Sequence, residues 1–300
     1  MTLRDIAIAG LIMLLWGVNF GFAKIGLAEF PPIFLMALRF GLVALILVPF
    51  IRRPGVSWAQ VIGLSCTLGA LHFALFFSGL NGHDASAAAI VVQLQVPISV
   101  LLSVVLLGER PGWRSVVGIV LAFARVWIIF AGKPMSGHLL PLILMISAAC
   151  VWSGANFQLK AMGNVDGMAL NGWMALFATP QLLIASLAIE HGQISAILNA
   201  DWWGVVSIVF MSVFSTIIAY GLWYRLVHKY PMSLVMPFTL LGPVFGVASG
   251  VVWLGEKLTI QLIVGSLMTM AGVATIVLRP PRAAEPANEI APRDAPRETA

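Results

Sequence analysis

Charge is scarce in this 300-residue chain: Asp, Glu, Lys and Arg make up 10% of it, while 60% of its residues are hydrophobic. Such a balance cannot coat a water-soluble surface, so the bilayer is the expected solvent. Cysteine is nearly absent. Cys66 and Cys150 both fall inside apolar runs, where they read as small buried apolar residues and say nothing about redox compartment. No H-E-x-x-H, G-x-S-x-G or paired-carboxylate pattern lies within those runs, which leaves a membrane-embedded enzyme without its catalytic groups. Rings of charge and repeated filter loops, the marks of a channel, are missing too. So is any polar segment large enough for a sensor domain. No cofactor and no metal are expected.

What the chain does contain is ten apolar stretches, at about 5–25, 32–51, 58–79, 86–107, 113–131, 138–159, 168–189, 202–224, 232–254 and 259–278. Crossing the hydrocarbon core as helix takes roughly 20 such residues, and runs this long and continuous exclude membrane strands. An all-α integral membrane protein with ten transmembrane helices follows. Gly, Pro and charged residues punctuate the runs, as at Pro31-Pro32 and Arg52-Arg53-Pro54-Gly55. The first run lacks a small-x-small cleavage site and is expected to stay in the mature protein rather than act as a signal peptide. The tail from Arg279, rich in Pro and Ala, reads as disordered.

The chain also repeats itself. At a displacement of 147, Leu107-Gly108-Glu109-Arg110 falls on Leu254-Gly255-Glu256-Lys257, and Val117-Gly118 on Val264-Gly265. At 136, Trp16 and Lys24 fall on Trp152 and Lys160; Asn19 and Phe20 match Asn156 and Phe157 after a one-residue slip. Two copies of one membrane unit in a single chain are the signature of a secondary transporter with its substrate site between the copies. Basic residues such as Arg4, Arg52, Arg53, Arg110, Arg225 and Lys229 fall on one side of the bundle, which predicts cytoplasmic N- and C-termini. Five spans per copy is an odd number, so the copies enter the membrane in opposite senses and the expected fold is two inverted five-helix repeats. The basic net charge then reflects topology and lipid headgroups rather than nucleic-acid binding.

The opening Leu15-Trp16-Gly17-Val18-Asn19-Phe20 with Lys24, then Pro31-Pro32, Leu38-Arg39-Phe40 and the two Leu-Gly-Glu-basic turns resemble the EamA family of the drug/metabolite transporter superfamily, most closely its O-acetylserine/cysteine exporter type. The resemblance implies a first repeat over 1–135, a second over 136–279 and a cytoplasmic tail at 280–300. It further implies an inner-membrane carrier of bacterial type, a monomer or weak homodimer, that exports amino acids or their derivatives by alternating access. A drug or nucleotide-sugar carrier of the same superfamily is the alternative. A nucleotide-sugar site would need several basic groups for phosphate, and the spans hold few.

Polar side chains inside spans are costly unless they face protein or a water-filled cavity, so each is a candidate lining group. Trp16, Asn19 and Phe20 share one helical face, and Lys24 extends it outward. Trp16 and Trp152 lie too deep for an interfacial belt and are expected to wall the cavity. Asn19 and Asn156 would either bond to one another across the repeat or touch substrate. Gln93 and Gln95 precede Pro97, which frees the carbonyl of Gln93 and would create a polar notch; Pro243 is its nearest analogue in the second copy. His72 is a candidate for substrate contact and proton coupling, and Tyr220 for an aromatic gate. Arg39 is expected to be a structural anchor paired with Glu29 or with carbonyls near Lys24, and secondarily to attract an anionic substrate. Lys24, Lys160, Glu109 and Glu256 are expected at gating or structural positions, each glutamate stabilising the helix that follows it. Arg125, opposite Gly272 in the repeat, reads as a substitution at a small-residue packing seam or as a charge for a substrate carboxylate; inserting it costs on the order of 3 kcal/mol.

Overall fold

The computed structural model describes residues 1–107, 113, 116, 117, 119, 120, 124, 135–163, 165–230, 232–260, 262–264, 266–268 and 271. The expectations for Glu109, for Arg125 with Gly272 and for the tail at 280–300 lie outside these residues, as do most of the stretches 113–131 and 259–278. Among the described residues there are eight helices long and apolar enough to cross a membrane and no strand. They are α1 (Leu3–Glu29), α2 (Pro32–Phe50), α3 (Trp58–Asn81), α4 (Ala85–Val105), α5 (Leu139–Met162), α6 (Gly167–Ile189), α7 (Trp202–Lys229) and α8 (Pro237–Leu254).

Four of the eight helix starts carry their own side-chain caps. Thr2 accepts from the Asp5 amide at the head of α1, Ser57 and Gln60 form a capping box on α3, and Asp166 and Asp201 cap α6 and α7. The starts of α2 and α4 receive no side-chain cap from Pro31 and Asp84. Their free N–H groups need acceptors from elsewhere in the fold.

Four helices are interrupted, and the interruptions come in pairs. A π-helical stretch occupies Ser65–His72 within α3 and another Phe210–Ile218 within α7. A 3₁₀ stretch at Val92–Leu94 divides α4, and another at Met236–Leu240 joins the turn Met232–Val235 to α8. Pro97 and Pro243 each sit just beyond a 3₁₀ stretch, at the start of the helix that resumes.

The two halves of the chain are interlaced rather than set side by side. Among the described residues the most extensive packing joins α3 to α5, α2 to α6, α1 to α8 and α1 to α7, each pair drawn from opposite sides of residue 136. Small residues permit the α1–α8 approach: a Cβ on Gly17 would stand 2.8 Å from the backbone nitrogen of Gly246, and one on Gly21 would meet Ser249 at 3.4 Å. Cys66 and Cys150, expected to be buried, are exposed on the outside of the bundle. A thiol is apolar enough to face lipid there, so composition alone could not assign its side of the helix.

Candidate functional site

The π stretch of α7 organises the centre of the bundle. A π turn shifts the intrahelical pairing by one residue and frees backbone carbonyls for side chains. Trp16 Nε1 of α1 donates to the Ser215 carbonyl at 3.1 Å, and the Thr216 hydroxyl donates to the Met211 carbonyl at 2.7 Å. The Thr216 oxygen in turn accepts from Arg39 Nε at 3.2 Å and Nη2 at 2.8 Å, while Ser212 donates to the Arg39 carbonyl at 3.0 Å. Arg39 is 4% exposed, and its guanidinium lies 5.2 Å from the centre of the Phe73 ring. Among the described residues no carboxylate comes within 4.0 Å of it. The expected pairing with Glu29 is not made; the π stretch of the other half supplies a neutral hydroxyl instead.

Aromatic rings continue outward from this centre. Trp16 contacts Tyr220 at 5.0 Å and Trp223 at 5.4 Å, and Tyr220 contacts Tyr224 at 6.0 Å. Phe20 meets Phe76, which stacks on His72 at 6.0 Å; His72 in turn contacts Trp152 at 5.0 Å. His72 is 3% exposed, with Nδ1 2.9 Å from the Ala148 carbonyl of α5. A carbonyl can only accept, so Nδ1 carries a proton; in the neutral form of the ring Nε2 is then an acceptor. Phe73 links the two sets of groups, its ring lying 5.2 Å from the Arg39 guanidinium and 4.8 Å from the His72 ring. The structure therefore brings Trp16, Phe20, Arg39, His72, Trp152 and Tyr220 into one cluster built from both halves.

The remaining predicted residues fall elsewhere. Asn19 keeps a buried Oδ1 without a hydrogen-bond partner, whereas Asn156 is exposed, so the bond between the two asparagines does not form. Their one-residue slip in the repeat turns Asn156 away from its counterpart's face. Around Pro97 the Gln95 carbonyl accepts from the Ser99 hydroxyl at 2.7 Å and from that of Ser153 of α5 at 3.2 Å, while the Gln93 carbonyl accepts from the Gln95 amide. Gln93 and Gln95 are half-buried and Pro97 is buried. Pro243 is buried in α8 and Lys160 is exposed.

The ends of the bundle carry polar ties that join the halves. Glu256 takes the uncapped start of α4, accepting from the Ala85 amide at 2.6 Å, the Ser86 amide at 3.0 Å and the Ser86 hydroxyl. This corrects the expectation that Glu256 serves the helix after it: it caps a helix of the other half. Glu190, which the sequence did not single out, does the same for α2, accepting from Ile33 at 2.8 Å and Phe34 at 3.0 Å. Lys24 approaches the carbonyls of Leu80 and Asn81 at the end of α3, both at 3.4 Å. At the opposite end Asp5 accepts from Lys229 at 2.7 Å, Tyr230 at 2.6 Å and Thr2 at 2.6 Å. Glu190 and Asp5 could have been suspected as isolated carboxylates at the ends of apolar runs.

The model of the EamA-like transporter family matches this chain twice, over residues 5–131 and 139–278. The chain belongs to the EamA-like transporter family. Proteins of Escherichia coli K12 and Salmonella typhimurium LT2, each described as a probable amino-acid metabolite efflux pump, are 32% identical to it over 91% of this chain and 94% of their own. The uncharacterized transporter YvbV of Bacillus subtilis is 25% identical over 91% of both chains. A solved crystal structure superposes with a TM-score of 0.63, covering 93% of this chain and 98% of that one at 19% identity, a likeness of fold alone.

Proposed function

We propose that this EamA-like protein exports amino acids or closely related small metabolites by alternating access, with the cluster around Arg39, His72, Trp16, Trp152 and Tyr220 as its substrate site. The observation that carries the reading is the similarity, over more than nine-tenths of both chains, to two proteins described as amino-acid metabolite efflux pumps. A ten-helix arrangement of two inverted repeats is part of the proposal. It is supported by the double family match and by the paired π stretches in α3 and α7 and paired 3₁₀ stretches in α4 and before α8. Broken helices near a central site are how carriers expose backbone groups to a substrate. With the N-terminus in the cytoplasm, the end clasped by Glu190 and Glu256 is external, and release of those clasps opens the outward path.

The test is exchange in liposomes containing the purified chain and loaded with single amino acids, O-acetylserine and cysteine among them, with and without a pH gradient. Accelerated counterflow of at least one amino acid is expected. Movement of a nucleotide sugar or a cationic drug with no amino acid moved would overturn the proposal.

A further inference from the structure

We propose that Arg39 binds the carboxylate of the transported molecule, making this carrier selective for substrates with a free carboxylate; the inference rests on the exporter reading above and narrows it. A guanidinium has five N–H donors, and here two of them share one neutral acceptor, the Thr216 hydroxyl. Joining α2 to α7 through a hydroxyl needs a hydrogen bond but no charge. A positive charge inside a span is retained against its insertion cost when it has an anion to meet, and among the described residues the protein provides none within 4.0 Å.

The surroundings fit a zwitterion. Arg39 offers donors for a carboxylate, in the planar fork that carboxylates match. His72, whose Nδ1 is committed to Ala148, offers Nε2 as an acceptor, and the Trp152 ring 5.0 Å from it offers a π face to an ammonium. The Phe73 ring lies 5.2 Å from the guanidinium and covers one of its faces. The repeat does not impose the arginine either. The displacement of 136 that matches Trp16 to Trp152 places Ala175 opposite Arg39, and Ala175 is fully buried. A group present once suits a ligand with distinct positive and negative ends.

The experiment compares competitors that differ only in the carboxylate. In liposomes holding the full-length protein, L-cysteine, L-cysteine amide and cysteamine compete against exchange of a labelled amino acid. Cysteine is expected to compete about tenfold or more better than the other two, the scale expected when a buried polar group loses its partner. Arg39→Gln brings that ratio close to one, and Arg39→Lys restores part of it. Equal competition in the wild type, or an unchanged ratio in Arg39→Gln, overturns the proposal. Should Arg39→Gln fail to accumulate, Thr216→Val keeps the charge but unmoors it; a several-fold fall in the ratio supports the assignment and an unchanged ratio overturns it. If no amino acid exchanges or competes, the exporter reading falls separately. Heat stabilisation of the solubilised wild type by lactate or succinate, lost in Arg39→Gln, would then still uphold the Arg39 site, whereas stabilisation only by carboxylate-free compounds would end it.

Discussion

The two ends of the bundle are tied by different chemistry. At one end, Glu190 and Glu256 of the second half hold backbone amides at the starts of α2 and α4. At the other, Asp5 of the first half gathers three side chains, among them Lys229, whose side chain is 47% exposed. Backbone donors at a helix start do not rotate away and carry the positive end of the helix dipole, so a carboxylate seated there gains from geometry and field together. A lysine on a flexible stem gives up entropy to hold its partner and is screened by salt. The first end is therefore the firmer one. The asymmetry follows from Pro31 and Asp84, which leave α2 and α4 without local caps and reserve their amides for the other half.

Breaking the seam that serves both ends should have the largest effect. Gly17→Leu places side-chain carbon where Gly246 already sits, with the first added atom 2.8 Å from its backbone nitrogen. A loss of about 3 kcal/mol or more, read as failure to recover folded protein in detergent, is expected. Normal yield and melting would mean the α1–α8 contact is not a tight one.

Next comes the firm end itself. Glu256→Ala leaves two amides and the Ser86 hydroxyl without their acceptor and should cost about 2 kcal/mol in thermal unfolding, with Glu256→Gln costing roughly half of that. Glu190→Ala should fall slightly below it, at about 1–2 kcal/mol. Both glutamate variants should also expose this end. With Cys66 and Cys150 replaced by Ser, a cysteine at the fully buried Ala88 should label faster with a membrane-impermeant maleimide in Glu256→Gln than in the parent. Unchanged labelling would show that the clasp is not a gate.

The smallest effect is expected at the opposite end. Lys229→Gln should lower the melting temperature less than either glutamate variant, and the difference from wild type should shrink as salt is raised. A loss at Lys229 larger than at Glu256, or one insensitive to salt, would reverse the comparison.

Much of this could be read from residue order. Apolar run length identifies the eight spans the structure describes, Trp16, Phe20, His72 and Trp152 stand out because aromatic or polar groups in mid-span need a protein environment, and Tyr220 stands out as a candidate aromatic gate. The pairing of Asn19 with Asn156 failed for want of three-dimensional phase, since a one-residue slip rotates a helical side chain by about 100°. Proline spacing likewise does not announce the 3₁₀ stretch at Val92–Leu94 that precedes Gln95.

By itself, then, the sequence determined the solvent, the helical class, the family and the residues worth suspecting, because these depend on composition, run length and local order. Only the tertiary structure decided that Glu256 caps α4, that Glu190 caps α2 and that Arg39 meets Thr216 rather than Glu29. Each of those contacts joins groups 156 to 177 residues apart. The π and 3₁₀ stretches and the interlacing of the halves choose which of several equally polar partners comes within reach.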